Sequence, residues 1–143
     1  MDSKPLGRKG RLRVVTSFTT PDGDSYEEKH AGYCSVVDGA AGERRLLWEE
    51  TREGQHDDIE LTLRGAEAEM VRRGETCGRL RFSPGRRLDG EYTTPYGALD
   101  MAVESRGLEW SEADGRGELL LEYDLYVNGA LSNSARMQLQ WRL

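Results

Sequence analysis

Arg72 is the residue whose chemistry most needs an explanation. It stands two positions after Met70 in E-M-V-R-R-G, and in an extended chain residues two apart share a face. If Met70 points into a core, Arg72 follows it near the end of its strand. A guanidinium stays charged at any accessible pH, so a buried one must meet a carboxylate, hydroxyls or carbonyls. Tyr92 and Tyr123 fall on the inward faces of their own strands, and Tyr96 sits in T-P-Y-G at a turn where it would reach a rim. Arg72, Tyr92, Tyr96 and Tyr123 therefore outline a pocket for a small apolar ligand whose anionic head meets the arginine. The competing expectation is an internal salt bridge.

A second group points the other way. With Leu80 and Phe82 inward, Arg79 and Arg81 face out, and Arg73, Arg86 and Arg87 join them as a stripe. Residues 64–87 hold 7 basic and 3 acidic side chains in a chain of net charge −6. Such a patch suits an acidic protein or RNA, unless Glu67, Glu69 and Glu91 neutralise it across strands. Overall acidity makes nucleic acid an unfavoured partner.

Catalytic patterns are missing. There is no G-x-S-x-G, P-loop, G-x-G-x-x-G or H-E-x-x-H, so no catalytic residue, cofactor or metal is expected, and the protein reads as a non-enzyme. His56 with Asp57 and Asp58 is the nearest approach to a cation site, and three residues in one acidic turn are a weak one. Cys34 and Cys77 lie far apart without C-x-x-C spacing, which predicts free thiols rather than a disulfide. The opening residues are basic without the apolar run of a signal peptide, and no segment is long and apolar enough for a membrane helix. A cytoplasmic monomer or weak homodimer, with no membrane association, is the expectation.

The elements that would position these residues are strands. From Glu118 to Asn128, Leu119, Leu121, Tyr123, Leu125 and Val127 alternate with mostly polar neighbours. Leu131, Asn133, Ala135, Met137, Leu139 and Trp141 repeat the pattern. Period-two alternation of this kind marks strands with one wet face, and the charged outward positions exclude a lipid-facing barrel. Glycine-rich punctuation bounds ten strands near 11–19, 25–37, 43–52, 57–63, 66–73, 76–83, 86–94, 97–110, 116–127 and 131–142. Face matching predicts a two-residue turn at Arg64-Gly65, another at Pro95-Tyr96, and an odd bulged loop at Gly129 that opposes Leu125 to Leu131 and Leu121 to Ala135. The fold class is all-β: one antiparallel up-and-down barrel over residues 11–143, preceded by a flexible basic tail over 1–10.

The segments Arg72-Arg73-Gly74, Gly78-Arg79-Leu80-Arg81-Phe82, Tyr92-Thr93-Thr94-Pro95-Tyr96-Gly97 and the run from Leu121 to Leu131 resemble the YwiB-like family of small bacterial proteins. The likeness covers the chain from about Arg11 onward. It implies a ten-stranded barrel related to the calycins, the group holding lipocalins and fatty-acid-binding proteins. The sequence has no G-x-W near its start and no closing R-x-Y, so the resemblance implies a fold and no particular ligand.

Overall fold

The computed structural model describes residues 7–39 and 42–143. Ten strands account for its regular structure: β1 (Arg8–Thr19), β2 (Ser25–Asp38), β3 (Arg44–Arg52), β4 (Gln55–Arg64), β5 (Glu67–Gly74), β6 (Cys77–Phe82), β7 (Arg87–Thr94), β8 (Gly97–Ala113), β9 (Arg116–Val127) and β10 (Ala130–Arg142). Each pairs antiparallel with its sequence neighbours, and β1 pairs with β10, so the sheet closes into an up-and-down barrel. Closure gives every strand a partner on both sides, although β2 and β3 pair only over Cys34–Asp38 and Arg44–Trp48 and splay apart beyond them. β1 begins at Arg8, opposite Val36, so Arg8–Gly10 belong to the barrel and not to a basic tail. Residues 1–6 of that expected tail lie outside the described residues.

Alternation does the sorting that the sequence suggests. Leu119, Leu121 and Tyr123 on β9 are buried, as are Ala135, Met137, Leu139 and Trp141 on β10. Each such side chain removed from water contributes roughly 1.5–3 kcal/mol for a large aliphatic. Leu46, Leu61, Leu63, Val103, Leu121 and Leu139 are fully buried and fill one end of the barrel. Trp141 completes that end by lying flat over Gly117, its cross-strand partner, where a Cβ would overlap the indole.

Two bulges adjust the alternation, and one overturns an expected pairing. Asn128-Gly129 forms a tight two-residue turn, with both residues left-handed (φ 51° and 83°) and Val127 opposite Ala130. That turn matches the right-handed twist of its strands. The parity conflict is absorbed instead between Leu131 and Asn133, where the register shifts. Leu125 consequently pairs with Asn133 and Leu121 with Met137, and Leu131 is turned out to solvent. The second bulge lies between Ser105 and Gly107 on β8, so that Ser105 and Leu108 both face inward. The β4–β5 turn has the expected even parity but sits one residue later, at Gly65-Ala66, with Arg64 opposite Glu67. The turn at Pro95-Tyr96 falls where face matching puts it.

Candidate functional site

Successive turns alternate between the two ends of an up-and-down barrel. The end capped by the β1–β2, β3–β4, β5–β6, β7–β8 and β9–β10 turns is the one left open. A cavity of ≈ 390 Å³ enters there. Its floor is apolar, with Val14, Trp48, Met70, Leu80, Met101 and Met137 facing it. Its rim is charged, because inward positions near these strand ends are Glu28 on β2, Glu50 and Arg52 on β3, Asp57 on β4 and Arg72 on β5.

Register explains why Arg72 and Tyr92 meet. Gly78 on β6 is opposite Arg72 on one side and Tyr92 on the other. A Cβ at Gly78 would overlap the Tyr92 ring, so the missing side chain is what lets the phenol lie across β6 toward the guanidinium. This covering of a strand glycine by an aromatic ring also restores packing that the glycine lacks.

Arg72 does not stand free. Its Nη1 donates to Asp57 Oδ2 at 3.0 Å and its Nη2 to Glu50 Oε1 at 3.5 Å. Burial opposes its charge, but the phenol of Tyr92 and the carboxylates of Glu50 and Asp57 outweigh burial and raise its pKa above the ordinary arginine value. Glu50 also accepts from Trp48 Nε1 at 2.8 Å, and Arg52 bridges Glu50 (3.8 Å) to Glu28 (3.3 Å). The result is a chain of alternating charge, Glu28, Arg52, Glu50, Arg72, Asp57, with three carboxylates to two guanidiniums. Lys29 also lines the cavity, so three carboxylates face three cations and an anionic head group would enter a rim that is already neutralised.

Tyr123 is buried below the rim, edge-on to Phe82 with ring centroids 5.0 Å apart, and burial pushes its phenol well above the usual tyrosine range. It remains a neutral wall of the cavity. Tyr96 is 99% exposed at the tip of its turn and is not part of the lining. Its backbone N–H donates to Thr94 Oγ1 at 3.1 Å, a local turn bond that leaves the ring in solvent. Arg72, Tyr92 and Tyr123 are thus brought together, and Tyr96 is not. His30 Nε2 and Asp57 Oδ1 are buried without a hydrogen-bond partner. Both residues line the cavity, and the reading of Arg72 with its tyrosines passed over both of them. Continuing the β2 alternation back from Val36 and Cys34 would have placed His30 inside, and the β4 alternation from Ile59 would have placed Asp57.

Three of the five outward arginines are paired with carboxylates on their own surface. Arg73 reaches Glu60 at 3.5 Å, and Arg79 and Arg81 reach Glu69 at 3.4 and 3.8 Å. Arg87 lies over the Tyr126 ring at 3.9 Å. Arg86 is exposed in the β6–β7 connection. Around His56, strand alternation separates what the sequence sets side by side. His56, Asp58 and Glu49 gather outside in solvent, while Asp57 turns inward to Arg72. Cys34 is buried and Cys77 exposed, both free thiols.

Residues 13–139 match the family described as "Domain of unknown function (DUF1934)". The chain belongs to the DUF1934 family. A solved structure, the ywiB protein from Bacillus subtilis, superposes on this DUF1934 chain with a TM-score of 0.81 at 13% identity, over 96% of this chain and 94% of that one. At that identity the likeness is one of fold. Among curated protein sequences nothing matches. No helix is long and apolar enough to cross a membrane among the described residues.

Proposed function

We propose that this barrel is a non-enzymatic binding protein that takes a small, largely apolar molecule with a neutral hydrogen-bonding head into its open end. The observation that carries this reading is the ≈ 390 Å³ cavity itself, apolar at the floor and ringed by charges that satisfy one another. Its size and lining are those of a small-molecule pocket, where apolar contact supplies affinity and a few polar groups fix orientation. The His30 ring stands on the wall with its Nε2 buried and unpartnered, so a head group reaches that atom by a turn of the ring. An alcohol or amide head can pair with it without disturbing the charge chain. A carboxylate head must compete with Glu50 and Asp57 for Arg72.

The test is displacement of an environment-sensitive apolar dye, comparing a medium-chain alcohol, the matching amide and the matching fatty acid. The neutral heads are expected to displace the dye at lower concentration, and His30→Ala to remove their advantage. No dye binding at micromolar concentration would reject the binding reading. Preferential displacement by the fatty acid would instead return the anionic head to Arg72.

A further inference from the structure

A row of unpaired arginines crosses the barrel on the side opposite to the expected stripe. In register, Tyr33 on β2 stands beside Arg11 on β1, Arg11 beside Arg142 on β10, and Arg142 beside Arg116 on β9. Directly opposed like charges on a sheet oppose folding, so three in succession need a compensating partner. None is present among the described residues: Lys9, Arg11, Arg13, Arg116 and Arg142 form no ion pair, unlike Arg73, Arg79 and Arg81. The row lines an open groove of ≈ 1040 Å³ in which Glu118 is the single acidic side chain. Tyr33 is 60% exposed at the end of the row, with Lys9 Nζ 4.4 Å and Arg11 Cζ 5.7 Å from its ring centroid.

We infer that this face binds single-stranded nucleic acid, with phosphates following Arg11, Arg142 and Arg116 and a base stacked on Tyr33. The chemistry is that of a stacking platform beside a cationic track, which recognises a strand through its backbone and the π-faces of its bases. Adjacent strands about 4.8 Å apart set the cations in a line across the sheet. The surface there is the strands themselves, with no helix or projecting ribbon to enter a duplex groove, which favours a single strand over a double helix. An acidic protein would answer the arginines but would give the exposed Tyr33 ring nothing beyond the cation–π contacts it already makes with Lys9 and Arg11. The face lies on β1, β2, β9 and β10, away from the open end, and stands independently of ligand binding in the cavity.

Fluorescence anisotropy of a labelled single-stranded RNA oligonucleotide tests the inference. Binding is expected near 50 mM salt and should be largely lost by about 200 mM, with log K falling against log salt at a slope of roughly −2 for three neutralised phosphates. Arg116→Glu/Arg142→Glu should abolish binding. Tyr33→Ala should weaken it roughly tenfold at an unchanged slope. Arg79→Glu/Arg81→Glu, on the neutralised face, should leave it as it is. No anisotropy change at the lower salt would overturn the inference, as would equal loss in the Arg79/Arg81 variant. If an acidic peptide binds as tightly as RNA and Tyr33→Ala changes neither, the face belongs to an acidic protein partner and the nucleic-acid assignment is wrong.

Discussion

Replacing Arg72 with methionine keeps the bulk of the side chain and deletes the charge that holds Glu50 and Asp57 together. The side chains of Arg72, Glu50 and Asp57 are 20%, 14% and 10% exposed, so the cluster is neither a surface pair nor a dry interior one. Removing one partner of a fully buried pair costs about 3–5 kcal/mol, and an exposed pair is worth about 0–1 kcal/mol. A loss of about 2 kcal/mol lies between these limits. For a chain of this size that corresponds to a melting temperature lower by about 6 °C. The assay is thermal unfolding at pH 7 followed by far-ultraviolet circular dichroism, run on wild type, Arg72→Met, Asp57→Asn and the double variant. If the cost arises from a stranded carboxylate, Asp57→Asn in the Arg72→Met background should recover at least half of it, a coupling that a double-mutant cycle isolates. An Arg72→Met protein that melts with wild type, or a double variant no better than the single one, would refute the charge chain as the organising feature of the rim.

Other consequences are open to direct measurement. Leu121→Ala empties a fully buried site in the packed end and should cost about 3 kcal/mol, read as a lower urea midpoint at unchanged m-value; an unaltered midpoint would mean that Leu121 is not core. A thiol reagent applied to the native protein should modify Cys77 readily and Cys34 only after unfolding, because Cys34 is buried and burial pushes its thiol up; equal rates would contradict the strand direction of β2. Glu43, at the packed end, accepts hydrogen bonds from Arg64 and Arg45, which hold its carboxyl below the ordinary range. A depressed folded-state pKa contributes stability that is complete above the unfolded value, about 4.3, and is lost as pH falls through the folded one. Glu43→Gln should therefore destabilise the protein at pH 7, with a deficit that shrinks in acid; a pH-independent deficit would mean that the ion pairs contribute nothing.

The barrel was legible because its code is local. Leu119, Leu121 and Tyr123, or Met137, Leu139 and Trp141, alternate with polar residues at a period that only a strand can satisfy, and the glycines between such runs mark the turns. The same alternation placed Arg72, Tyr92 and Tyr123 inside together, and the structure agrees. The Asn128-Gly129 hairpin shows where local reasoning stops. Parity demanded one extra residue, but whether it sat in the turn or at Ser132 depended on matching the twist of β9 to β10, which no single strand encodes.

The partners of the charged groups were further out of reach. Nothing in the spacing of Glu50, Asp57 and Arg72 says that they touch, and nothing near Arg11 says that it will stand beside Arg142, more than a hundred residues away. The sequence by itself determined which face of each strand is greasy and hence that a closed antiparallel sheet forms, since burial of alternating side chains is decided residue by residue. Only the tertiary structure decided which charges are neutralised and which are left bare. Charge pairing depends on distances across strands, and the register of the closed barrel alone sets them.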